Sequence, residues 1–457
     1  MAAIPQAPDD RPAAAPALGG GWPDERVAWY ACFVLMLTLL VNFLDRGIVA
    51  LLVPYIKADL SLSDSQIGLI MGFAFVMFYL IAGLPIARYA DHGNRKILVA
   101  IGMALWGGAT ALCGLATSFF SLFAFRVGVG VGEACTGPAS FSLLGDYFRP
   151  HRLPRAIAFL NFGFILGNGL AVLIGGTLVY LLATATSIDF PLFGTLRVWQ
   201  AAFLICGAPG LIVGLVMLTV PEPPRRVQGA TPPVAAVARF VIDHKGVYVP
   251  LIVGISLNTI VFIAQQSWGP TFFMRTYGWS IGQIGLVTGL TFLTVLPPGA
   301  ILGGIWAQRM ALQCRRDANL RVSLYALAMA WPFRLAAPLM PSGWLAAGSG
   351  AIGLFCTSLL FGPQNAAIQA ATPNRIRGQV TALVLFGFNV IGVGLGPSIL
   401  AFLTDYVFRD ESQIRYALAT CYAVISPIAF LILWSGLKPY GRRIAQLEEE
   451  EHAKSIG

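Results

Sequence analysis

Residues 126–134 read R-V-G-V-G-V-G-E-A, and residues 42–46 read N-F-L-D-R. Each string plants ionised groups inside an apolar run long enough to cross a bilayer. Arg126 and Glu133 stand seven residues apart, two helical turns along one face. Charge within a membrane span is costly and marks a route for substrates or protons. The apolar runs around these strings decide the fold class.

The chain has 457 residues, 57% of them hydrophobic and only 11% charged, with a mean hydropathy of +0.73. Soluble domains carry roughly 25% charge, so the composition predicts an integral membrane protein. Stretches near the roughly 20 residues a bilayer crossing needs recur twelve times: 27–53, 65–88, 96–117, 119–143, 155–183, 198–220, 247–273, 281–308, 320–340, 343–370, 377–404 and 413–437. The expected fold is all-α and polytopic, twelve transmembrane helices in two six-helix bundles. The net charge of +9 is dispersed through short loops, a topology signal rather than a nucleic-acid surface. Arg88, Arg95, Lys96, Arg149, Arg152, Arg155, Arg226 and Arg375 fall on the side of the amino terminus, against Lys57, Arg197, Arg275, Arg409 and Arg415 opposite. Positive loops stay inside, so both termini are expected in the cytoplasm.

Residues 1–26 read as a disordered cytoplasmic tail, without the basic region and short apolar core of a signal peptide. Residues 27–220 form the first bundle, 221–246 a central cytoplasmic loop, 247–437 the second bundle and 438–457 a cytoplasmic tail. Within the central loop, Val237, Phe240 and Val241 alternate with Arg239, Asp243 and Lys245; this suits either a short helix on the inner membrane surface or a linker. P-H-R-L-P-R-A-I-A at 150–158 parallels P-N-R-I-R-G-Q-V-T at 373–381, and each leads into F-G-F. Parallel six-helix repeats with a midplane site are a transporter plan. Gly163, Gly167, Ala171 and Gly175 follow a four-residue step, a close-packing seam and a candidate sliding surface. The seven cysteines show neither metal spacing nor a disulfide framework. The four histidines fall in loops or the tail, with no nucleophile elbow and no P-loop. No enzyme activity, metal or organic cofactor is expected.

By span direction, Asp45 lies about eight residues and Arg126 about seven from their outer helix ends. Glu133 lies roughly 10 Å deeper, near the midplane. A buried carboxylate alone stays protonated, whereas a nearby arginine favours its ionised form. Asp45 and Glu133 are therefore the candidate proton carriers, and a carboxylate that gains or loses Arg126 would bind or release a proton. Arg126 is also the candidate partner for an anionic substrate group. Arg46 joins it as a charge partner, or only orients Asp45. The same four residues equally fit a static neutral cluster. Asn42 in the first half, and Gln265, Gln266, Trp268, Gln364 and Asn365 in the second, are candidate cavity residues; a charged half facing an amide-and-aromatic half suits an amphipathic anion. Buried amides also bond helix to helix. Arg334 is expected to snorkel to the outer surface.

At these residues the chain resembles the major facilitator superfamily. A-R-Y-A-D-H-G-N-R-K at 87–96 is similar to its inner-gate motif, which implies gate roles for Asp91, Arg95 and Lys96; His92 and Asn94 depart from the usual Arg and Gly. N-F-L-D-R, R-V-G-V-G-V-G-E-A and G-D-Y-F at 145–148 resemble the Spinster-like transporters, and the first two strings are also similar to organic-anion symporters. Spinster-like transport is proton-linked movement of lysolipids and sphingosine-1-phosphate. That resemblance implies Asp45, Arg126 and Glu133 as coupling and head-group site, with protons and membrane lipid as partners. The alternative cargo is a small organic anion, sugar acid or drug; a passive channel or receptor is a third reading. A monomer in a bacterial inner membrane is expected.

Overall fold

The computed structural model describes residues 22–149, 151–184, 188–190, 194–225, 234–313, 315–373 and 376–456. Residues 1–21 of the predicted tail, most of the central loop before Val234, and Arg226 and Arg375 lie outside the described residues.

Among the described residues, twelve helices are long and apolar enough to cross a membrane: Glu25–Leu60, Asp64–Gly83, Arg95–Cys113, Phe119–Tyr147, Leu153–Thr184, Val198–Met217, Lys245–Tyr277, Ile281–Leu312, Ala318–Leu339, Gly343–Ala370, Arg377–Phe408 and Glu411–Glu450. They are called here the first to twelfth spans. Short polar residues start several of them. Ser63 and Ser118 close reciprocal capping boxes, and Asn94 and Ser280 accept from Ile97 and Gln283 backbone amides.

The first span runs on to Leu60, with Pro54 inside it. The sequence boundary at 53 stopped at that proline, yet membrane helices tolerate proline where neighbours re-satisfy the backbone. Asp45 therefore sits fifteen residues from the helix end, deeper than the eight expected.

Glycines set which helices touch. Gly163 and Gly167 lie against the carbonyls of Met36 and Leu40, and Gly47 meets Ala171. The predicted seam thus packs the fifth span on the first, inside one half. The seam that joins the halves is a different one. Gly176 meets Gly285, and Gly289 abuts Leu173, tying the fifth span to the eighth; Gly72 abuts the Gly394 carbonyl, tying the second to the eleventh.

Both contacts lie toward the face opposite the amino end, and an ion cluster closes that face. Asp64 is completely buried. It accepts from Arg275 Nη1 and Nη2 at 2.7 and 2.9 Å, from Lys57 Nζ at 2.5 Å and from Thr404 Oγ1 at 3.2 Å. Glu411 pairs with both Arg275 and Lys57. Among the described residues, the ion pairs that join the two halves are Lys57–Glu411 and Arg275–Asp64. The molecule is clamped on the face opposite its amino end.

On the amino face, Val234–Asp243 is a helix. Its Val237 and Val241 pack with Tyr248 and Tyr440, so its apolar side covers protein. The tail is folded as well, as the helix Leu437–Ile456. Cys32, Cys113, Cys135, Cys206, Cys356 and Cys421 are free and buried, in keeping with a filler role.

Candidate functional site

The first and fourth spans carry two ion pairs between them. Arg126 Nη1 donates to Asp45 Oδ2 at 2.7 Å, with both side chains at or below 2% exposure. Thr110 of the third span donates to Asp45 Oδ1 at 3.4 Å. Arg46 Nη2 donates to Glu133 Oε1 at 2.6 Å, while its guanidinium lies 4.3 Å over the Phe75 ring and 5.0 Å over Phe43. The pattern follows from helix geometry. Neighbours on the first span diverge by about 100°, so Asp45 and Arg46 cannot share one partner, and the two-turn step from Arg126 to Glu133 gives each its own.

Of the two roles open to Arg46, the geometry fits the charge partner: it pairs with Glu133, while Asp45 is held by Arg126. The pairs also leave binding capacity unused: Arg126 Nε, Arg46 Nε and Glu133 Oε2 are buried without a hydrogen-bond partner.

Both guanidinium groups border a cleft of about 450 Å³, counted with its open mouth, whose other wall includes Gln266, Ser267 and Val393. It therefore lies between the halves. A second cleft of about 890 Å³, counted with its open mouth, continues from Gln265 and Gln266 into a lining rich in phenylalanine. Gln266 Nε2 donates across the halves to Asn168 Oδ1. A charged wall, an amide step and an apolar bay are thus contiguous, a layout that can hold an anionic head and an apolar body.

The other predicted cavity residues divide. Gln265 and Gln266 border the clefts. Asn42 Nδ2 donates to Thr136 Oγ1 at 3.3 Å, a helix-to-helix bond. Trp268 does not line the clefts: it is fully buried and donates to the Pro397 carbonyl at 3.0 Å, bracing the seventh span on the eleventh. It stands two residues past Gln266, about 200° round the helix. Gln364 and Asn365 do not border these two clefts either. Gln364 is buried with Nε2 unpartnered, and Asn365 turns its amide back to the Phe361 carbonyl at 3.0 Å.

The bonds of Arg95 and Lys96 in the gate motif fall within one half. The side chain of Asp91 lies outside the described residues. Arg95, 1% exposed, donates to Asp146 and, at 2.7 Å, to Glu222, and the Lys96 amide donates to Glu222 Oε2 at 3.0 Å. The start of the central loop is thereby tied to the third and fourth spans. The acidic residue of G-D-Y-F and Glu222 at the start of the central loop were the available signals for the partners of Arg95. Sequence reasoning counted Lys57 and Arg275 only as loop charges and missed Asp64, one residue past a helix-capping serine.

Arg334 is the clearest correction. It does not snorkel outward but is 2% exposed, with Nη1 3.3 Å from Asn258 Oδ1 and its guanidinium 5.6 Å over Tyr422. The ninth span runs toward the face opposite the amino end, and helical side chains tilt toward their helix N-terminus, so Arg334 leans back into the bundle.

Comparison with known proteins agrees with this architecture. Residues 35–397 match the family model of the Major Facilitator Superfamily. An MFS-type efflux pump of Mycolicibacterium smegmatis is 29% identical over 429 residues, covering 92% of this chain and 95% of the relative. A hexuronate transporter of Bacillus subtilis is 24% identical over 388 residues, covering 81% and 86%. The inward-facing, unoccupied crystal structure of a bacterial homologue of the human lysosomal transporter Spinster aligns with a TM-score of 0.75 at 25% identity, over 93% of this chain and 98% of that one. The chain belongs to the Major Facilitator Superfamily of membrane transporters.

Proposed function

We propose that this chain is a proton-coupled secondary transporter of a lysolipid or similar amphipathic anionic lipid. Residues 27–220 and 247–437 rock about the clefts, joined by the loop 221–246. Asp45 and Glu133 carry protons, and Arg126 and Arg46 are the groups that exchange between carboxylate and cargo. The observation that carries this reading is the pair of crossed ion pairs with spare buried atoms, facing an apolar bay between the halves. Protonation of Glu133 weakens its hold on Arg46, and a freed guanidinium over Phe75 is then available to a phosphate or carboxylate. A protein working this way serves as a monomer in a bacterial inner membrane, with both termini in the cytoplasm.

The decisive experiment replaces Glu133 by Gln and follows the distance between spin labels on the two halves as pH changes. The expected outcome is a folded protein whose conformational response to pH is lost. A wild-type response in that variant refutes the coupling role.

Cargo is a separate question. The hexuronate-transporter relative favours a second reading, a small organic anion or sugar acid. Affinity for single-chain lipids should rise with chain length, at about 0.8 kcal/mol per buried CH₂. Affinity flat with chain length, beside tight hexuronate binding, favours the second reading.

A further inference from the structure

Arg334 is a buried cation to which the described residues offer no carboxylate. Its single hydrogen bond, to Asn258, is long at 3.3 Å. Its Nε has no partner, and its remaining support is the Tyr422 ring. A guanidinium held this way inside a membrane is costly, and packing alone would be served better by Met or Leu. Its location suggests what completes it. Tyr422 and Gly350 border the cleft of about 890 Å³. Gly353, three residues on along the same helix face, lies so close to Arg334 that a Cβ there would sit 2.9 Å from its Cγ. Arg334 does not itself line the cleft, but Tyr422, which its guanidinium overlies, does, and so does Gly350 on the helix that packs against its side chain. The cleft itself is mostly apolar, with Phe262, Phe273 and Phe292 among its lining.

We propose that Arg334 is an anion-binding group of the C-terminal half. It pairs with the ionised head of a single-chain amphiphile whose apolar body fills the phenylalanine-lined cleft, and Asn258 and Tyr422 flank that head. Arg126 and Arg46 are matched by Asp45 and Glu133, so while Glu133 stays ionised the head seats at Arg334, where the ligand supplies the missing counter-charge. The Arg46 station opens only once Glu133 is protonated. This deepens the transporter reading and rests on it for the ligand's being cargo. The shared chemistry is an anionic head on a hydrocarbon chain, and phosphate and carboxylate heads are its two sources.

The test measures binding to the purified full-length protein in uncharged detergent, at one pH. Oleoyl lysophosphatidate and oleate are the charged probes, and mono-oleoylglycerol is the uncharged one. Wild type is expected to prefer a charged probe by about tenfold or more, the worth of one charged hydrogen-bonded contact, and whichever head binds tighter identifies the source. Arg334→Met and Arg334→Gln should lose that preference while keeping mono-oleoylglycerol affinity, and their unliganded melting temperatures should hold or rise. Arg334→Lys should keep part of the preference. Retention of the wild-type preference in both neutral variants overturns the proposal, as does its absence from wild type. Failure of both neutral variants to fold overturns it too, since a guanidinium needed for folding is structural. Proton coupling is read separately, from the pH response of Glu133→Gln, so either idea can fail without the other.

Discussion

The two halves bury charge in opposite ways. In the first, Arg126 and Arg46 are each matched by a carboxylate of another span. In the second, Arg334 has only an amide and an aromatic ring, and the other polar groups near the clefts are amides and hydroxyls. The first half can therefore stand neutral without a ligand and still exchange partners, whereas the second holds a charge in search of one. A buried arginine is thus defined by its partner more than by its burial.

The largest effect that tests this contrast comes from Arg126→Met. Asp45 is then left buried with only the 3.4 Å hydroxyl of Thr110. Removing one member of a buried pair costs about 3–5 kcal/mol, so thermal unfolding of the detergent-purified variant should show a large loss. Adding Asp45→Leu should recover most of it. A single variant as stable as wild type would mean that Asp45 is already protonated, and the contrast between the halves would collapse.

Much of the fold was legible from the sequence, because membrane helices announce themselves by apolar length and loops by charge. Legibility ended where function depends on partner choice. The strings N-F-L-D-R and R-V-G-V-G-V-G-E named the four residues of the crossed pairs but not who bonds whom, since that turns on the 100° between Asp45 and Arg46. The glycine step at 163–175 was visible, yet its true neighbour, the first span, is set by tertiary packing. Asp64 and Glu411 were invisible as a clamp, because each sits at a helix start where an acidic residue already has a local explanation.

That clamp supplies the next effect in size. Asp64→Asn removes the charge that Lys57 and Arg275 share, leaving Glu411 to hold both. Charged hydrogen bonds are worth about 1.5–3 kcal/mol, a population shift of roughly ten- to a hundredfold. Spin labels at the ends of the second and eleventh spans on that face should move apart. If the distance distribution stays as in wild type, the glycine contacts at Gly72 and Gly176 hold the face closed unaided, and the clamp is only an accessory.

The smallest effect belongs to the amide bridge between the halves. Gln266 donates to Asn168 across the cleft, and Gln266 also borders both cavities. A hydrogen bond between membrane helices averages only about 0.6 kcal/mol in double-mutant cycles, because each amide finds other partners when released. Gln266→Leu should therefore scarcely change unfolding temperature, and a cycle with Asn168→Leu should return a coupling of that size. The same variant should nevertheless alter ligand affinity several-fold, since it makes apolar the one step between the charged wall and the phenylalanine bay. A coupling several times larger would instead make this bridge a third fastening of the halves. The second half would then contribute rigidity as well as a waiting charge, and the contrast with the first would narrow.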